Sequence, residues 1–133
     1  MIYLKRKVMK KILIVEDDPD IIDILKVTLE DKYKILEACN GIKAVNMVYE
    51  QNPDLVILDI NLPEMNGYQV CRLLKEDKNY QSLPVLILTS KSQKRDRFWG
   101  MEAGADKYIT KPFNPEEVLD CIEELLIKKG KFR

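Results

Sequence analysis

The chain has 133 residues, with 22 Lys and Arg against 22 Asp and Glu. Its balanced charge gives no ground for binding nucleic acid, an anionic membrane or an acidic ligand, and its length fits one domain that buries a core without disulfides or a structural metal. With no histidine and no Cys-x-x-Cys pair, most zinc, copper and haem chemistry and every histidine-dependent triad are excluded, so carboxylates, hydroxyls and lysines must carry any catalysis.

The start, Met1 to Lys11, is basic, but the apolar run Ile12 to Val15 gives way to acids well short of a signal peptide's apolar region of roughly 7–15 residues. No export or membrane segment is expected. Met9 directly precedes Lys10, Lys11 and the first strand, so residues 1–9 are expected to form a flexible extension.

Ile12–Val15 predicts a buried strand. Pro19 to Glu30 places Ile22, Leu25 and Leu29 at helical spacing, with the proline suited to a first turn. Tyr33–Glu37 predicts a short second strand, and Gly41 to Gln51 a helix through Ala44, Val45 and Val48. Pro53 punctuates before a third strand, Leu55–Leu58. Gly67 to Asp77 predicts a helix with Val70, Leu73 and Leu74 facing inward, and Pro84 introduces a strand over Val85–Leu88. Lys94 to Ala103 reads as a helix closed by Gly104. A short strand, Tyr108–Ile109, precedes a last helix from Pro115 to about Lys128, with Glu116 and Glu117 in its first turn and Lys128 and Lys129 at its end, as the helix dipole favours. The three cysteines, Cys39, Cys71 and Cys121, read as reduced core thiols in a reducing cytoplasm.

Five strands alternating with five helices predict an α/β fold, one parallel sheet covered on both faces through right-handed crossovers. The near-continuous apolar strands agree. Ligands of such sheets sit outside the carboxyl ends of the strands, which brings Glu16, Asp17 and Asp18, Asp59, Asn61, Thr89 and Ser90, and Lys111 and Pro112 to one crevice. Carboxylates gathered there without histidine suit a hard cation such as magnesium. A lysine and a threonine at the same rim suit a phosphoryl group. Together they suit phosphoryl transfer to a carboxylate nucleophile. Taken alone, Asp59 fits a turn or capping role as well as a functional one; its placement with Glu16, Asp17, Thr89 and Lys111 favours function.

Six ordered blocks carry a family resemblance: Ile14 to Pro19, Pro53 to Asp59, Leu62 to Gly67, Leu86 to Ser90, Ala103 to Tyr108 and Thr110 to Phe113. The chain resembles a receiver domain of two-component response regulators, of the single-domain chemotaxis-regulator type, over residues 10–129, with 130–133 as a tail. The resemblance implies a doubly wound, flavodoxin-like sheet of order 2-1-3-4-5. It implies that Asp59 is the phosphoacceptor, that Asp17 binds Mg2+ directly, that Glu16 acts mostly through a water, and that Asn61 offers its backbone carbonyl. Lys111 would pair with the phosphoryl oxygens, and Pro112 would follow a cis peptide that aims that lysine. Thr89 would bond the phosphate while Tyr108 changes rotamer. The common acidic pair of the family is Asp-Asp, so Glu16 is a mild departure.

The implied partners are a sensor histidine kinase or histidine phosphotransfer protein and a downstream effector, docked on the face of the fourth helix, fifth strand and fifth helix. A phosphorylation-dependent dimer is a further possibility of the family. No direct contact with nucleic acid or membrane is expected of this domain, which would act in the cytoplasm. It would catalyse its own modification without being a turnover enzyme.

Other readings attach to single residues. Asp18, with Asp20 nearby, is better suited to capping the first helix than to binding metal, and Gly67 and Gly104 serve the backbone. The run Lys91, Lys94, Arg95, Arg97 reads as a solvated helix face, or more sharply as a docking surface for an acidic partner. Lys91 and Asn61 are expected to flank the path of the water that removes the phosphoryl group. Phe98 and Trp99 are adjacent on one helix, so at most one can enter the core. Of the competing functions, the amino-terminal portion of a DNA-binding regulator stays open, since the end at Arg133 leaves no room for an output domain and is compatible with a true terminus or a truncated linker. A magnesium-dependent phosphohydrolase would want a second aspartate where Asn61 stands, and flavin binding would want a Ser/Thr/Gly-rich first loop where acids stand.

Overall fold

A computed structural model describes residues 8–90 and 94–131, with the backbone alone described at 94–97 and 129–131. Residues 1–7 of the expected extension, Lys91, the side chains of the basic run and residues 132 and 133 lie outside the described residues.

In chain order the elements are β1 Lys11–Val15, α1 Pro19–Leu29, β2 Lys34–Ala38, α2 Gly41–Gln51, β3 Leu55–Leu58, α3 Gly67–Glu76, β4 Val85–Thr89, α4 Lys94–Glu102, β5 Lys107–Thr110 and α5 Pro115–Lys131. All strand pairs are parallel and the sheet order is β2-β1-β3-β4-β5, the doubly wound α/β arrangement expected. The chain steps from β1 outward to β2 and then back across β1 to β3. The order therefore reverses between β1 and β3, and a crevice opens above their carboxyl ends.

Alternation along the strands splits the core between the two faces. Leu13, Val15, Val56, Leu58, Val85 and Ile87 meet Ala44, Val48, Val70 and Leu74 of α2 and α3 on one face. Ile12, Ile14, Leu55, Ile57, Leu86 and Leu88 meet Leu25, Leu29, Val118 and Ile122 of α1 and α5 on the other. Each fully buried Leu, Ile or Val side chain contributes about 1.5–3 kcal/mol of transfer free energy. β1, β3 and β4 carry such side chains on both faces, which makes the strands under the crevice the most firmly held part of the sheet.

The helix starts follow from capping. Asp18 accepts a hydrogen bond from the Asp20 N–H at 2.9 Å and caps α1, as expected. Asn40 caps α2, and Asn66 with Gln69 forms a reciprocal capping box at α3. Gly104 takes φ +98° just beyond α4, a conformation glycine adopts without a Cβ penalty.

Several expectations need correction. Leu73 is exposed and Cys71 is buried in its stead, because Val70, Cys71 and Leu74 form the inward stripe and Leu73 lies roughly 100° round the helix from its centre. Cys39 is exposed rather than a core thiol: it follows the buried Ala38 at the end of β2, where the chain leaves the sheet. The expectation that at most one of Phe98 and Trp99 enters the core is met, since both are exposed; the two rings pack edge to face on one another with centroids 5.6 Å apart. β2 runs one residue later than expected, β4 ends on Thr89, β5 spans four residues, and α5 continues to Lys131.

Candidate functional site

Glu16 and Asp59 are each the first residue past their strand, and backbone hydrogen bonds carry the sheet register one step beyond the strand ends. Glu16 N–H donates to the Ala38 carbonyl at 3.1 Å, Asp59 N–H to the Val15 carbonyl at 3.1 Å, and Lys111 N–H to the Thr89 carbonyl at 2.8 Å. The carboxyl ends of all five strands are thereby fixed at one edge. Glu16, Asp59 and Thr89 are buried, while Asp17 is exposed.

Carboxylate oxygens of Glu16, Asp17 and Asp59 lie within 4.8 Å of one another, the one such acidic cluster among the described residues. Among the described residues, one cation faces them. Lys111 Nζ is 2.7 Å from Glu16 Oε2 and 3.7 Å from Asp59 Oδ2, with the lysine side chain 16% exposed. Asp59 Oδ1 accepts the Ile60 N–H at 2.8 Å and Glu16 Oε1 accepts the Asp18 N–H at 3.2 Å. Burial pushes the Glu16 carboxyl above its usual range; the Lys111 hydrogen bond opposes this, and the Asp59 charge adds to it.

Among the described residues, three carboxylates and one lysine leave the crevice short of positive charge. Hard oxygen donors, one of them exposed to incoming ions, fit a small divalent cation that keeps part of its water shell. The donor chemistry therefore matches magnesium, and Asp17 is the carboxylate most open to it.

The loop after β3 is shaped around Asp59. Gly67 at the start of α3 sits so close beneath it that an added Cβ would collide with the Asp59 carbonyl oxygen and lie 2.8 Å from Ile60 Cα. Gly67 N–H donates to the Ile60 carbonyl at 3.0 Å, and Glu64 takes φ +71° at the tip of the loop. Asn61 is exposed two residues beyond Asp59. Lys111–Pro112 is a cis peptide bond, and Pro112 is exposed at the rim. Tyr108 on β5 is half-buried and packs against the α2/α3-side core. Gly100 of α4 accommodates it: a Cβ there would come within 3.1 Å of the Tyr108 ring.

The structure thus gathers Glu16, Asp17, Asp59 and Lys111 into one cluster, with a hydrogen bond between Lys111 and Glu16, and places Thr89 beneath the same rim. Tyr108 lies on β5, beside β4, paired with Ile87. Sequence reasoning placed Lys111 opposite a phosphoryl group and did not foresee its short contact with Glu16. The one signal was the extra methylene that Glu carries over Asp at position 16.

Comparison with known proteins agrees with this fold. A model of the response regulator receiver domain family matches residues 12–123. The chain is 41% identical over 119 residues to the DNA-binding dual master transcriptional regulator RpaA of Synechocystis sp., covering 89% of this chain and 49% of that protein. It spans about half the length of the curated relatives it matches. Among solved structures, the signal receiver domain of a signal transduction histidine kinase from Syntrophus aciditrophicus superposes with a TM-score of 0.84 at 39% identity, covering 90% of this chain and 91% of that one. The receiver domain of the sensor histidine kinase PA1611 from Pseudomonas aeruginosa, with a magnesium ion coordinated in its active site cleft, superposes with a TM-score of 0.83 at 28% identity, covering 90% and 98%.

Proposed function

Because this chain belongs to the response regulator receiver domain family, we propose that Asp59 is its phosphoacceptor and that the crevice around it is a phosphorylation switch. The observation that carries this reading is the convergence of Asp59, Asp17, Glu16 and Lys111 on one point at the carboxyl edge of the sheet.

A carboxylate oxygen of Asp59 attacks the phosphorus of a phosphohistidine on a sensor histidine kinase or histidine phosphotransfer protein. The O–P bond forms as the P–N bond breaks, and the electron pair leaves with the imidazole nitrogen, which takes up a proton. Lys111 pairs with the phosphoryl oxygens, and the Thr89 hydroxyl offers them a hydrogen bond from the end of β4. Asp17, Asp59 and the Asn61 backbone carbonyl would hold magnesium, with Glu16 beside them; when bound, that ion supplies charge neutralisation to the transferring group. Water attack on the acyl phosphate releases phosphate, regenerates the carboxylate and resets the switch. The protein in this reading promotes its own modification and is not a turnover enzyme.

The signal leaves the site through β4 and β5. A hydrogen bond from Thr89 to the phosphoryl group draws its loop inward, and Tyr108 moves into the space released. That contact exists in one state only, so it biases the equilibrium between two conformations. The readout face is α4, β5 and α5; Phe98, Trp99 and Met101 are exposed on α4. It takes a downstream effector or a second copy of the chain. The expected setting is the cytoplasm; no helix among the described residues is long and apolar enough to cross a membrane.

A second reading is favoured by the relatives' lengths: this receiver is the regulatory portion of a longer transcription regulator whose DNA-binding part lies outside these 133 residues. Both readings share one test of the site. Acetyl phosphate with magnesium should add one phosphoryl group to the wild type by intact mass and none to Asp59→Asn. Equal uptake by the two would reject Asp59.

A further inference from the structure

We infer that the groove between α3 and α4 is a docking site for an acidic, leucine-bearing segment of a partner protein. The site lies outside the crevice of Asp59 and does not rest on the phosphoacceptor reading. Tyr68, Gln69 and Arg72 of α3 line it on one side and Trp99 of α4 on the other. Tyr68 and Arg72 stand one helical turn apart, so the phenol ring and the guanidinium share a face of α3. Trp99 is 51% exposed, and its ring is braced edge to face by Phe98. Gly100, the next residue of α4, faces the Tyr108 ring of β5 instead, which leaves Trp99 to the α3 side.

Charge decides what the groove takes. Its described walls carry one full charge, the Arg72 guanidinium, and no carboxylate. Lys75, further along the same edge of α3, is committed within the protein: Nζ stands 2.9 Å from Asp106 Oδ2 and donates to the Gln81 and Leu83 carbonyls at 3.2 and 2.6 Å. Arg72 has no ion pair among the described residues. A planar fork of donors beside two aromatic rings matches a carboxylate held bidentately, with an apolar side chain laid on the rings. Tryptophan, tyrosine and arginine are also the residues on which binding energy at protein interfaces concentrates.

The volume sets the size of the occupant. At about 160 Å³ the groove is smaller than the roughly 300–1,000 Å³ of a small-molecule site, and it holds a side chain or two. A leucine beside an aspartate or glutamate fills it and meets Arg72. A basic segment would set like charge against Arg72 and be rejected.

Trp99 is the sole tryptophan of the chain, so its emission reports on the groove directly. The test titrates the full chain, unphosphorylated and in magnesium-free buffer, with the end-blocked peptide Asp-Asp-Leu-Leu-Glu-Glu and with its counterpart Lys-Lys-Leu-Leu-Lys-Lys. The acidic peptide should shift Trp99 emission saturably, and the basic one should not. Arg72→Ala should weaken binding of the acidic peptide roughly 10- to 100-fold, the range for losing a hydrogen bond to a charged group. Arg72→Glu should transfer the preference to the basic peptide. An equal response to the two peptides, no saturable response to either, or undiminished binding by Arg72→Ala would each overturn the assignment. So would emission that changes with protein concentration alone, which marks a second copy of the chain as the occupant.

Discussion

At the scale of single residues the crevice is a charge balance left open. Among the described residues three carboxylates face one lysine, so removing one negative charge relieves more repulsion than the attraction it forfeits at 3.7 Å. Asp59→Asn should raise the metal-free melting temperature by about 2–5 °C, corresponding to roughly 1 kcal/mol, and magnesium should raise that of the wild type as it binds the folded state. A calorimetric scan with and without magnesium checks both, and a melting temperature that ignores the ion would contradict the account. The thiols give a separate test. Burial pushes Cys71 and Cys121 up to about 11, whereas Cys39 is exposed. Because the thiolate is the reactive form, the native protein at pH 8 should react with a disulfide reagent at Cys39 alone. Cys71 and Cys121 should follow only on denaturation or as pH rises toward 11.

At the scale of elements, what could be read in advance follows from where the physics is local. Strand and helix order, the Asp18 cap and Gly104 were legible because periodicity, capping and punctuation act within a few residues. The acid pair and Asp59 were placed at one crevice by the rule for parallel sheets, without knowledge of distances. Leu73 was misassigned because α3 has four apolar residues within five positions, Val70, Cys71, Leu73 and Leu74, and period alone does not choose the centre of the stripe. The Glu16–Lys111 contact spans 95 residues, and no local pattern encodes it. The stripe is testable: Leu74→Ala should cost about 2–5 kcal/mol as a core truncation, while Leu73→Ala should stay within about 0.5 kcal/mol, both by urea denaturation. Gly67→Ala should be more damaging to function than its size suggests, since its Cβ meets the backbone of Asp59 and Ile60. Displacement of that backbone by about 1 Å can lower the rate roughly 100-fold.

At the scale of the whole molecule, the sheet holds the reacting groups still, and in the proposed reading its α4/β5/α5 edge carries the output. β1, β3 and β4 are buried on both faces, so the strands that deliver Glu16, Asp59 and Thr89 resist distortion. α4 is different: Phe98, Trp99 and Met101 are exposed on it, and Gly100 opens room for the Tyr108 ring. In the proposed switch, a small displacement at Thr89 is expressed beside β5 without disturbing the core, as a two-state element requires.

The account stands or falls on the chemical identity of the acceptor. After phosphorylation with acetyl phosphate and magnesium, reduction with borohydride converts an aspartyl phosphate to homoserine, and peptide mass mapping locates it. Homoserine at position 59 and nowhere else is the expected result. Phosphorylated protein whose reduced residue maps to Asp17, Asp18 or any site other than Asp59 would contradict it.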